Sequence, residues 1–119
     1  MKVREIQDCL QAKLLYGEDE LEREVKYGFG ADLMSDVLAF VKDDTVLLTG
    51  LTSPHVIRTA EMLDIMVVVF VRGKVPGEDI VEMAEERDIA IMCTPYTMFE
   101  ASGILYQKGL EGSNEHNAT

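Results

Sequence analysis

Positive charge is scarce in this chain. Eleven Lys and Arg stand against 22 Asp and Glu in 119 residues, a formal net charge of −11. Such a surface repels the phosphates of nucleic acids and of anionic membranes, so neither is expected as a partner. A small anion can still bind wherever cations are locally concentrated. Long apolar runs are missing too: no stretch reaches the about 18 residues that a membrane-spanning helix needs. The opening "MKVREIQDCL" mixes acids with its apolar residues and does not resemble a secretory signal. Cysteine is limited to Cys9 and Cys93, far apart and without a CxxC pairing. Two such thiols are expected to be buried and reduced, which places the chain in the cytoplasm. Histidine is limited to His55 and His116, neither with a Cys, His or carboxylate neighbour at ligand spacing, so no metal is expected. The spacing GxxxxGK[ST] is absent, which excludes a P-loop. Gly28-Phe29-Gly30 lacks the third glycine of a dinucleotide fingerprint, with Leu33 in its place. No Ser-His-Asp or Cys-His arrangement can be argued, so no catalytic residue, no cofactor and no enzymatic activity are expected.

What is present is a regular alternation of patterns. Val3 to Leu10 has apolar residues at helical spacing. "AKLLYG" reads as a short strand, "GEDELEREV" as a solvated acidic connection, and "EVKYGFGA" as a strand ending in a glycine pair. Asp32 is a natural N-cap for a helix over "LMSDVLAFV". Then three apolar runs, Val46 to Leu48, Met66 to Val71 and Ala90 to Cys93, are separated by helical patterns over "SPHVIRTAEML" and "GEDIVEMAEERD" and followed by a last helix over "YTMFEASGILYQKG". The runs are apolar throughout rather than alternating. Strands covered on both faces read this way, and such strands are parallel with helix crossovers. The fold class is therefore α/β, a single domain with a mostly parallel sheet and flanking helices, over residues 1–110. Residues 111–119 are polar and without periodicity, and are expected to be a disordered tail. Met34, Met62, Met66, Met83, Met92 and Met98 fall on apolar positions and read as core filler.

In open parallel sheets, ligands bind outside the carboxyl ends of the strands. Three strand ends meet on that edge. One supplies Thr49, Gly50, Thr52 and Ser53, the next Arg72, Gly73 and Lys74, the third Thr94, Tyr96 and Thr97. Ser53-Pro54 and Thr94-Pro95 both look like a cap followed by a proline in the first helical turn, and helix N-termini attract anions. The expected ligand site is therefore Thr49, Gly50, Thr52, Ser53, Arg72, Gly73, Lys74, Thr94 and Thr97, for a small anion or a nucleotide. Each piece also has a plain structural reading as a cap or a turn.

The stretches "GADLMSDVLAFV", "VLLTGL", "VVVFVRGK" and "CTPYTMFEAS" resemble the DRTGG domain family, over roughly Val3 to Lys108. The best matches are Asp32-Leu33-Met34-Ser35, Thr49-Gly50 and Thr94-Pro95-Tyr96. The residues that name the family are altered: Leu51-Thr52-Ser53 stands near its Asp-Arg-Thr, and Arg72-Gly73-Lys74 near its Gly-Gly. The resemblance implies a module found in some CBS-containing inorganic pyrophosphatases, in some phosphotransacetylases and alone. Its fold is similar to the N-terminal domain of HPr kinase/phosphorylase and of the Mur ligases. It implies a regulatory or dimer-forming role rather than an enzyme. The expected function is a non-catalytic regulatory module that senses a small anionic metabolite or adenine nucleotide at the strand ends. The alternatives are a structural module that dimerises or docks onto a partner enzyme, and a phosphotransferase-type enzyme, for which no positioned base or nucleophile is visible. Tyr96, Met98, Phe99, Leu105 and Tyr106 give the last helix more large apolar side chains than one buried stripe needs, so a homodimer is expected.

Overall fold

The three apolar runs form the centre of the sheet. In a computed structural model, which describes residues 1–113, they are β3 (Thr45–Thr49), β4 (Val67–Phe70) and β5 (Ala90–Cys93). They pair in parallel, β3 with β4 and β4 with β5. β2 (Tyr27–Gly30) adds a fourth parallel strand beside β3. β1 (Lys13–Tyr16) closes one edge antiparallel to β5, and β6 (Glu111–Gly112) closes the other beside β2. The order is β1-β5-β4-β3-β2-β6.

Both faces of this sheet are covered, as the continuous apolar runs predict. Alternate residues point opposite ways along a strand. Val46, Leu48, Val67, Val69, Ala90 and Met92 face a layer made by α1 (Val3–Cys9) and α5 (Met98–Gln107). Leu47, Val68, Phe70 and Ile91 face α2 (Met34–Phe40), α3 (Pro54–Met62) and α4 (Glu78–Glu86). The crossovers β2-α2-β3, β3-α3-β4 and β4-α4-β5 each step to the neighbouring strand, so four strand ends line up in sequence order on one edge.

Several expectations need correction. Met62 is 71% exposed and is not core, whereas Met34 and Met92 are buried. Cys9 and Cys93 are free but only half-buried, since each lies at the end of its element. The acidic connection is not simply solvated. Glu22 pairs with Arg4 Nε at 2.7 Å and Lys2 Nζ at 3.2 Å, and Glu24 binds the N-terminal ammonium at 3.0 Å. These bonds fold the segment back onto the basic start of α1, and they hold the Glu22 carboxyl below the usual glutamate range, with the Arg4 hydrogen bond the main cause. The boundary expected at residue 110 falls inside ordered structure. Leu110 is buried, Glu111 and Gly112 pair with β2, and Ser113 is buried. Ser113 Oγ accepts from the Lys42 amide at 2.8 Å and lies 3.0 Å from Thr45 Oγ1, tying the segment after α5 to the start of β3. Residues 114–119, the rest of the expected tail, lie outside the described residues.

Candidate functional site

β3 ends at Thr49, and the next amide, that of Gly50, is buried with no strand partner beyond it. A buried N–H without an acceptor is costly, so something must take it. Asp32, in the loop after β2, does so: its Oδ1 accepts from the Gly50 amide at 2.7 Å and from Thr49 Oγ1 at 3.2 Å. Asp32 is therefore not the cap of α2. That helix starts at Met34 behind Leu33, with no side-chain cap bond. The buried strand-end donor takes the carboxylate, and in the first turn of α2 the Asp36 amide donates to the Leu33 carbonyl at 3.0 Å instead.

β4 ends in a tight turn. Arg72 and Gly73 have φ of +61 and +68°, and the Lys74 amide donates to the Val71 carbonyl at 3.2 Å. Two successive positive φ values with this bond are the pattern of a type I′ turn. Gly73 suits it without cost. Arg72 adopts a conformation that L-residues rarely take. Its amide bonds the Tyr96 carbonyl at 2.7 Å, and the Gly73 amide bonds the Thr94 carbonyl at 2.9 Å, so the turn is fastened to the end of β5. The Arg72 side chain then lies back across β3. Its Nη2 is only 2.3 Å from where a Cβ on Gly50 would stand, so glycine is needed there to admit the guanidinium. Beyond Gly50, Nη2 reaches within 4.0 Å of Asp32 Oδ2.

The structure thus brings together Thr49, Gly50, Arg72 and Gly73 of the expected residues, plus Asp32. Lys74 follows on the same turn, exposed and without an ion-pair partner among the described residues. Thr52 is half-buried in the loop before α3. Ser53 is the N-cap residue of α3 and Pro54 its first residue, but the Ser53 hydroxyl makes no cap bond. Thr94 and Thr97 are turned to other work. Thr94 is fully buried and its hydroxyl donates to the Leu10 carbonyl at 2.6 Å, at the end of α1. Thr94-Pro95 does not open the helix. α5 is capped by Thr97, whose hydroxyl accepts from the Glu100 amide at 3.3 Å while Glu100 Oε1 takes the Thr97 amide at 3.2 Å. The reciprocal pair satisfies two helix-start donors internally.

Asp32, like Thr94, has the residue type of a helix cap and serves another element. The signal for it was an acid one position past the loop entry of a strand that runs parallel to β3. Capping and cross-strand bonding use the same residue type, so spacing alone did not separate them.

Among the described residues there is no cluster of three His, Cys, Asp or Glu that could hold a metal ion, and no helix is long and apolar enough to cross a membrane. A cleft lies away from these strand ends, between α5 and the β2–β6 edge, lined by Gly28, Phe29, Gly30, Ser102, Tyr106 and Leu110 among others.

Comparison with known proteins adds three findings. The model of the DRTGG domain matches residues 5–107. No curated protein matches the chain. Among solved structures, the CBS and DRTGG domains of the regulatory region of Clostridium perfringens pyrophosphatase, complexed with the activator diadenosine tetraphosphate, match with a TM-score of 0.73 at 18% identity. That match covers 92% of this chain and 50% of the other, so this chain spans half the length of that structure.

Proposed function

Because the chain belongs to the DRTGG domain family, we propose that it is a non-catalytic regulatory module that senses a small anionic metabolite, an adenine nucleotide first of all, at the C-terminal edge of its sheet. One observation carries the reading. Arg72 is held by a left-handed turn so that its guanidinium lies over Gly50 beside Asp32 and Thr49, at the ends of adjacent parallel strands. Open parallel sheets bind ligands on this edge. Arg72 and the exposed Lys74 put two cationic residues on one turn in a protein of net charge −11. Further support comes from the pyrophosphatase regulatory region, a structure of the same fold that was solved with a dinucleotide activator. The free thiols of Cys9 and Cys93 fit a reducing, cytoplasmic setting.

A sensor of this kind needs only modest affinity, micromolar to millimolar, or roughly −8 to −4 kcal/mol. The test is thermal unfolding with and without ATP or diadenosine tetraphosphate. Wild type should melt higher with one of them. Arg72→Ala with Lys74→Ala should lose the shift while its unliganded melting point stays within a few degrees. A double variant that still responds in full would remove the strand-end site from consideration.

A second reading has its own observation. On α5, Phe99 is 88% and Tyr106 73% exposed, and they lie on the helix face that also carries Gly103. Two large aromatics left in water, seven residues apart, suit a homodimer or a docking contact with a partner enzyme. The two readings are compatible, since α5 and the strand-end cluster use different residues.

A further inference from the structure

Resting on the sensing role just described, we propose that Asp32 makes this edge selective for ligands that present hydroxyl donors beside a phosphate, such as a nucleotide or another phosphorylated polyol, and against bare polyanions. An open anion cradle would leave the Gly50 amide and the Thr49 hydroxyl free. Here both donate to the same atom, Asp32 Oδ1, at 2.7 and 3.2 Å. A phosphate cannot take either donor without expelling the carboxylate, and while the carboxylate stays it repels a second negative group beside it. The other oxygen is placed differently. Oδ2 is 4.0 Å from Arg72 Nη2, too far for a hydrogen bond, and the two side chains are 54% and 50% exposed. The carboxylate therefore keeps lone pairs for an incoming donor, and the guanidinium keeps N–H groups for an incoming acceptor.

The edge thus offers solvent an acceptor and a fork of donors side by side. Its complement carries a hydroxyl next to an anionic oxygen. A sugar hydroxyl would donate to Asp32 Oδ2, a charge-assisted bond, while the phosphate lies on Arg72 and Lys74. Asp32 Oδ1 need not move, because it continues to hold the ends of β2 and β3 together. A ligand without the hydroxyl would leave the carboxylate unanswered next to its own charge, and sites built around such a bond reject the analogue that lacks it.

The experiment is isothermal titration of the full chain and of Asp32→Asn with ATP, 2′,3′-dideoxy-ATP and tripolyphosphate, at low salt without divalent cations. Asparagine keeps an oxygen for the Gly50 amide and the Thr49 hydroxyl, so the fold should stand, and the unliganded melting temperature checks it. Wild type is expected to bind ATP about tenfold tighter than the dideoxy analogue, and likewise tighter than tripolyphosphate. Asp32→Asn is expected to bind tripolyphosphate more tightly than wild type does and ATP less tightly, closing the gap. Equal binding of ATP and dideoxy-ATP by wild type, or an Asp32→Asn change that moves all three by one factor, overturns the selectivity and leaves the sensing role standing. No binding of any probe by wild type overturns the sensing role and the selectivity with it. Should Asp32→Asn fail to fold, the comparison of the two nucleotides on wild type decides alone.

Discussion

Replacing Gly50 by Ala tests the geometry without needing a ligand. A methyl group there would meet Arg72 Nη2 at 2.3 Å, Cζ at 3.0 Å and Nε at 3.1 Å. All three are the far end of a flexible, half-exposed side chain, and Gly50 does not have a positive φ, so its backbone accepts alanine. The guanidinium must swing out and leave Asp32. That loses a half-exposed ion pair worth about 0–1 kcal/mol. Against it, alanine reduces the freedom of the unfolded chain, a gain of roughly 0.4–1 kcal/mol. The net change in stability should stay within about 1 kcal/mol. In an Arg72→Ala background nothing obstructs the methyl group, so the same replacement should show only the gain. The two effects should therefore couple by roughly 0.5–1 kcal/mol, as contacting residues do. Urea unfolding of wild type, both single variants and the double variant measures this. Equal effects of Gly50→Ala in both backgrounds would refute the placement of Arg72 over Gly50. A loss above ~3 kcal/mol in either background would mean that the glycine answers to backbone packing instead.

Three further outcomes follow from named contacts. Ser113→Ala leaves the Lys42 amide without its acceptor, in a partly buried network, and should cost about 1–3 kcal/mol in urea unfolding; a change near zero would mean that the segment after α5 is not pinned there. Burial pushes the Cys93 thiol above the usual cysteine range, with Lys13 opposing in part, so less thiolate is present at a given pH. Its alkylation should be slow at pH 8 and should accelerate as pH rises through the raised value, whereas an unfolded-like rate at pH 8 would contradict the burial. Phe99→Glu with Tyr106→Glu should convert dimers to monomers in sedimentation at micromolar concentrations while leaving the monomer fold intact; a wild type that is already monomeric there would remove the second reading.

The centre of the sheet was legible because β4, β5 and the Val46 to Leu48 stretch of β3 are apolar without alternation, the pattern of strands covered on both faces. Their order was legible too, since each crossover is short and returns to the neighbouring strand. β6 was not. Glu111 and Gly112 carry no apolar or β-branched side chain. Their pairing follows from the burial of Leu110 before them and Ser113 after them, which no local pattern announces. At the site, the edge and its cation Arg72 were legible from the strand ends. The division of labour was not. Ser-Pro and Thr-Pro look alike in sequence, yet Thr94 faces α1 and Thr97 caps α5, because the chain needs two residues after Thr94 to bend before the helix can begin. Asp32 was visible as an acid before a helix, and only the parallel register of Gly30 with Leu48 brings it to the end of β3.

Under the proposed role, the ends of β3 and β4 receive an adenine nucleotide. A residue-resolved NMR titration of the ¹⁵N-labelled chain with ATP tests it most directly. The amides of Gly50, Leu51, Arg72, Gly73 and Lys74 should shift together and saturate at micromolar to millimolar ATP, roughly 1 μM to 1 mM. Shifts confined to Gly28, Phe29, Ser102, Tyr106 and Leu110, which line the cleft under α5, or no shifts at millimolar ATP, would contradict it.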